Sequence, residues 1–225
     1  MKLGKRVNFN VIKNELAQKG KAGARLAPST LILAQNINTA RTKYKFDVLE
    51  NEGTPAAEEI RLNINDDFIC TEIGIYLRGQ ETTVGARVMN AYYPFAHFGQ
   101  VAGAEEALPL WDGTLDVSVN NTTYIQGWDV RKHWVSPINL ANLTAANTVE
   151  MTGQSSLAME HDGMVALEPM ITLSGAKKNT IDLNLPGSIS GYTVTMVGGT
   201  PVAIVVNGIT VIMRGMLAQN TASFQ

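Results

Sequence analysis

From residue 43 onward, apolar side chains recur at every second position. The apolar set is Tyr44, Phe46 and Val48 in "YKFDV", Ile60, Leu62 and Ile64 in "EIRLNIND", and Ile73, Ile75 and Leu77 in "EIGIYLR". The same period returns in "TLDVSVN", where Leu115, Val117 and Val119 alternate with Asp116 and Ser118. It returns again in "NTIDLNLPG", where Ile181, Leu183 and Leu185 alternate with Asp182 and Asn184. Side chains of an extended chain point to opposite faces in turn, so each run predicts a strand with one dry and one wet face. Helical spacing is confined to "NVIKNELAQKG", where Val11, Ile12 and Leu16 share a face and Gly20 ends the pattern. Such a short helix is marginal by itself.

Turn chemistry divides the runs. Asn207-Gly208, between "VAIVV" and "ITVIM", is the strongest hairpin signal in the chain, because a type I′ turn needs positive φ at both central residues. Asn120-Asn121 is a softer version between "LDVSV" and "TTYI". With Gly198-Gly199 before Pro201, residues 190–217 read as three consecutive antiparallel strands. The whole chain then reads as roughly eight to ten short strands, the profile of an all-β antiparallel sandwich, best fitted by a single jelly roll. Two long stretches, 96–113 and 136–164, break the alternation and read as functional or partner-bound loops. The predicted organisation is a basic N-terminal arm and connector over 1–42, followed by a sandwich domain over 43–225.

Charge sharpens this division. Residues 1–45 hold ten Lys or Arg and one acid, net +9; the other 180 hold 18 − 10 = 8 basic and 20 − 1 = 19 acidic residues, net −11. The total of −2 therefore conceals two opposed parts, as in proteins whose basic tail touches polyanion while an acidic body stays soluble. The candidate polyanion-binding residues are Lys2, Lys5, Arg6, Lys13, Lys19, Lys21 and Arg25. Spread along a Gly-containing segment, they suit sequence-independent phosphate neutralisation with counterion release. Fully extended, 25 residues reach roughly 85 Å, enough to cross a neighbouring subunit. A body that folds without this arm predicts that deleting residues 2–25 weakens polyanion binding and leaves the β domain intact.

With 45 % hydrophobic and 17 % charged residues, the chain can bury a sizeable core. Its single cysteine, Cys70, precludes intrachain disulfides. No apolar run approaches the roughly 18–20 residues needed to span a bilayer, and "MKLGKRVNF" has no apolar stretch of secretory type behind its basic front. These features predict a protein of a cytoplasm-like compartment.

Catalytic patterns are weak. His97, His133 and His161 are far apart and in no metal-ligand spacing, so neither metal nor cofactor is expected. "SSLAMEHDG" gathers Ser155, Ser156, His161 and Asp162 without a G-x-S-x-G elbow and reads as a polar loop. Glu58-Glu59, Asp66-Asp67 and Glu105-Glu106 are adjacent pairs, which an extended chain sends to opposite faces, and read as solvated turn residues. No enzyme is indicated. Tyr92, Tyr93, Tyr124, Trp128 and Trp134, the last two beside Arg131 and Lys132, form either a stacking platform or core and interface aromatics.

In order, "IRLNINDDFICTEIGIYL", "LPLWDGTLDVSVNNTTYIQGWDVRKHWV", "LEPMITLSGAKKNTIDLNLP" and "VIMRGMLAQN" resemble the jelly-roll coat proteins of tailless icosahedral bacteriophages over roughly residues 58–220. The resemblance implies a virion structural protein, a capsid subunit that self-assembles with copies of itself and other virion proteins into an icosahedral shell. Its arm would face packaged nucleic acid or, in phages with internal membranes, anionic lipid, and assembly would take place in the host cytoplasm. The alternatives are a carbohydrate- or peptide-binding sandwich module, tail-associated or lectin-like, and a cupin-type enzyme, which three scattered histidines do not favour.

Overall fold

The computed structural model describes residues 9–18, 21, 23–81, 90–94, 102–135, 143–144, 148–149, 163–196 and 202–221. Among them are one α-helix, α1 (Phe9–Gln18), and twelve strands. A large sheet is built on β3 (Asp67–Glu81) and β12 (Val202–Gln219), which pair antiparallel nearly end to end. On the far side of β12 lie β1 (Arg25–Asn36) and β11 (Tyr192–Met196). On the far side of β3 lie β9 (Met164–Ser174) and β4 (Asn90–Tyr93). The two-residue strands β7 (Leu143–Thr144) and β8 (Thr148–Val149) extend this sheet beyond β11, the β8–β11 pair being parallel. The small sheet has the order β2 (Lys43–Phe46), β10 (Asn179–Asn184), β5 (Thr114–Val119), β6 (Thr122–Asp129).

The alternation sorts residues as the sequence predicts in most of these strands. Tyr44, Phe46, Val48, Ile73, Ile75, Leu77, Leu115, Val117, Val119, Ile181, Leu183 and Leu185 are all buried in one core between the sheets. The chain is thus an all-β sandwich of mostly antiparallel strands. Asn120 (φ 50°) and Asn121 (φ 64°) make the tight β5–β6 turn, with positive φ at both positions as a type I′ turn requires.

Asn207-Gly208 behaves differently. There is no hairpin: β12 runs straight through, and neither residue takes a positive φ. The register steps from Val206 opposite Gly79 to Gly208 opposite Arg78, so Asn207 is the extra residue of a bulge. Partners on both flanks hold β12 extended here. Its other edge passes from β11, last paired at Val206, to β1, first paired at Gly208, while the Asn207 carbonyl accepts from Ile37 N at 2.8 Å. A turn would forfeit the ladders on both sides. Residues 190–217 accordingly hold two strands, not three; Gly198 and Gly199 lie outside the described residues. "EIRLNIND" is a second departure. Of its apolar set only Leu62 is buried, Ile60 and Ile64 are exposed, and the segment makes isolated bridges to Ile32 and Leu49.

The N-terminal region also differs from an extended arm with a connector. Residues read as connector form β1, a twelve-residue strand of the large sheet, so the β structure begins at Arg25 and not at residue 43. Ahead of it, α1 lies on the face of the large sheet turned away from the small one. Phe68 and Cys70 point into the main core, so Ile69 between them points outward. There it meets Ile12, Leu16 and Ala218 in a second apolar cluster. Val11, assigned to the same face, is exposed. The buried side chains of Ile12 and Leu16 contribute roughly 2 kcal/mol each. Lys21 then pins the segment with an ion pair to Asp67 at 2.5 Å, the two side chains only 16 % and 4 % exposed.

Candidate functional site

The structure describes three of the seven basic candidates and gives them different roles. Lys13 is exposed on α1 and Arg25 exposed at the head of β1. Lys21 is committed to buried Asp67 and is no free cation. Lys2, Lys5, Arg6 and Lys19 lie outside the described residues. Two further cations of the N-terminal count, Lys43 and Lys45, stand on β2 beside Asp182 (3.3 Å) and Asp47 (4.0 Å).

The carboxylate pairs are not uniformly solvated, contrary to the expectation for turn residues. Glu58 pairs with Arg78, whose guanidinium also donates to Asn36 Oδ1 at 2.5 Å. Glu59 meets Arg61 at 2.8 Å, with both side chains almost fully covered. Asp67 is likewise buried, whereas Glu105 and Glu106 are exposed. The first two pairs tie residues 58–61 to β1 and β3, through Ala34 N to Glu59 and through Arg78 to Asn36. Burial holds the Arg78 pKa below its usual value, with the nearby Tyr92 opposing that shift.

The five aromatic candidates do not converge on one platform. Tyr92 and Tyr93 sit on β4; Tyr92 packs edge-on against Tyr76 with centroids 6.4 Å apart, and Tyr93 lies against the main core. Burial pushes the Tyr93 phenol up to about 12. Tyr124 is half exposed on the outer strand β6. Trp128, at the end of β6, donates its indole N–H to His133 Nε2 at 3.0 Å and carries Lys132 Nζ 3.9 Å above its ring. The Gly163 carbonyl, 2.8 Å from His133 Nδ1, can only accept, so Nδ1 bears the proton and the ring is neutral. Burial, reinforced by Lys132, holds the His133 pKa below its ordinary value against the opposing pulls of Gly163 and Asp129.

Trp134 faces elsewhere, toward a feature that strand periodicity does not reveal. The stretch 96–113 contains a 3-10 segment, Ala104–Leu110, entered through Gly103 at φ 82°. Three residues per turn bring Ala104, Ala107 and Leu110 onto one buried face, a period legible in "GAEEALPLWDG" once a threefold spacing is sought. A second 3-10 turn, Val130–His133, is capped by Asp129, whose side chain accepts from Arg131 N at 2.9 Å. Between these turns Leu108, Trp111, Asp112, Arg131 and Trp134 line an open cleft of about 370 Å³. Trp111 and Trp134 stand nearly perpendicular (87°) with centroids 5.3 Å apart. At the rim, Arg131 Nε and Nη2 both donate to Asp112 Oδ1, at 2.9 and 2.5 Å.

Among the described residues no group of three or more His, Cys, Asp or Glu is placed to hold a metal ion, and no helix is long and apolar enough to cross a membrane. Ser155, Ser156, His161, Asp162 and His97 lie outside the described residues. Cys70 is buried and its thiol is pushed far up by that burial. No protein-family model, curated protein or solved structure matches this chain.

Proposed function

We propose that the protein is a virion structural protein, a capsid subunit that assembles with copies of itself into a closed shell and turns its basic N-terminal region toward packaged nucleic acid or anionic lipid. The observation that carries this reading is the charge division: net +9 within residues 1–45 and −11 in the rest. An acidic sandwich repels polyanion, so the exposed cations Lys13 and Arg25, together with Lys2, Lys5, Arg6 and Lys19, supply the attractive surface. Strand edges are the natural lateral contacts. Among the described residues β6 pairs only with β5, and β1 is bridged on its outer side at Ile32 alone. A jelly-roll arrangement of the strands belongs to this proposal.

The test is the size distribution of the purified protein, by light scattering and negative-stain microscopy, with and without nucleic acid at low and high salt. Deleting residues 2–25 is the wrong perturbation, since it strips α1 from Ile69 and Met216 and leaves Asp67 unpaired. The charge-removing variant Lys2→Gln/Lys5→Gln/Arg6→Gln/Lys13→Gln keeps Ile12, Leu16 and the Lys21–Asp67 pair. Closed particles promoted by nucleic acid, with a shallower salt dependence in the variant, are expected, the slope falling by about one for each phosphate no longer neutralised. A monodisperse small species indifferent to polyanion overturns the reading.

A further inference from the structure

We propose that the Trp111–Trp134 cleft is a saccharide-binding site that takes an uncharged pyranose ring. Its 370 Å³ is within the span of roughly 300–1,000 Å³ usual for small-ligand clefts. Three features define the ligand. First, Trp134 is partly exposed and its plane is fixed by perpendicular packing on buried Trp111, so it offers a rigid apolar face. Second, the rim pair is charge-neutral as a unit: an anionic ligand meets the Asp112 carboxylate and a cationic one meets the Arg131 guanidinium. Third, both Arg131 bonds fall on Oδ1 alone, and among the described residues neither Asp112 Oδ2 nor Arg131 Nη1 makes a hydrogen bond.

An unused acceptor and an unused donor thus belong to one ion pair that lines the same cleft as the Trp134 ring. The complementary molecule has a flat apolar face and an edge that both donates and accepts, and is uncharged. Neighbouring hydroxyls on a sugar ring meet that description, one giving its proton to Oδ2 and the next receiving from Nη1. An apolar ring alone would use neither rim group. The rim is solvent-accessible, Asp112 being 50 % and Arg131 68 % exposed, so binding needs no rearrangement of the core.

The inference is independent of the shell reading, because the experiment uses the unassembled protein. Tryptophan fluorescence and ligand-observed NMR are recorded while glucose, galactose, mannose, N-acetylglucosamine and their β1→4-linked dimers are titrated in. The expected result is a saturable response to at least one sugar, with Kd on the order of 1 mM, weakened about tenfold or more by Asp112→Ala, Arg131→Ala and Trp134→Ala. The first two substitutions are at exposed side chains, so their circular dichroism stays native even if Trp134→Ala loosens the fold. No saturable response to any sugar overturns the proposal. So does binding that Asp112→Ala and Arg131→Ala leave unchanged, or a response to a proline-rich peptide in the absence of any sugar response.

Discussion

Among the described glycines, Gly215 leaves the least room for a side chain, and replacing it with alanine is the sharpest test of the fold. A Cβ built there lies 1.9 Å from the Ile69 carbonyl oxygen, 2.9 Å from its carbon and 3.2 Å from Cys70 Cα. All three obstacles are backbone atoms of β3, which cannot rotate away as a side chain can. Restoring an ordinary contact of 3.4 Å requires the strands to part by 3.4 − 1.9 = 1.5 Å. A ladder hydrogen bond of about 2.9 Å stretched by that much is broken. The register already shifts between Arg214 and Gly215, so the ladder has little left to give at this point. Breaking two buried bonds, each leaving groups unsatisfied at about 1–3 kcal/mol, puts the cost of Gly215→Ala at about 2–6 kcal/mol. Against a total stability of about 5–15 kcal/mol, that is a severe destabilisation. The matched control is Gly187→Ala, where a Cβ meets nothing within 4 Å and the change should stay within about 0.5 kcal/mol. Urea unfolding followed by tryptophan fluorescence measures both. A Gly215→Ala protein within about 1 kcal/mol of the parent would refute the close approach of β3 and β12.

Two further outcomes follow from the buried charges. Lys21→Ala strands Asp67 in a site where its side chain is 4 % exposed, at a cost of about 3 kcal/mol, and should speed amide exchange across α1; the double variant Lys21→Met/Asp67→Leu should lose less than the single one, and equal losses would show that the pair does not anchor the helix. His133 has a depressed folded-state pKa, so the unfolded chain takes up its proton first. Stability is therefore level above the ordinary value of 6.5 and falls as pH drops below it, by up to about 1.4 kcal/mol per unit until the folded-state pKa is reached. His133→Gln should flatten the slope just below pH 6.5, and equal slopes in both proteins would remove His133 from the account.

The sequence by itself determined the fold class, because period-two burial is a local property. Any chain placing Ile73, Ile75 and Leu77 on one side must hide that side, and the structure hides it. The Asn120-Asn121 turn was legible for the same reason: its backbone is set by two residues, and only one strand follows on each side. Asn207-Gly208 carries a stronger local signal and was overruled, because β12 gains pairing on both edges by staying extended. Local preference is worth about 1 kcal/mol, while each ladder spans many bonds. In the cleft, Trp128 and Trp134 were visible as candidates, yet only the fold separates them, tying Trp128 to His133 and setting Trp134 against Trp111, twenty-three positions away in the chain. Lys21 shows the same limit from the side of charge. Composition places it among the free cations of a basic segment, and only tertiary structure, by bringing Asp67 across forty-six residues to 2.5 Å, decides that it is an anchor. Electrostatic pairing depends on distance in space, and the sequence specifies only separation along the chain.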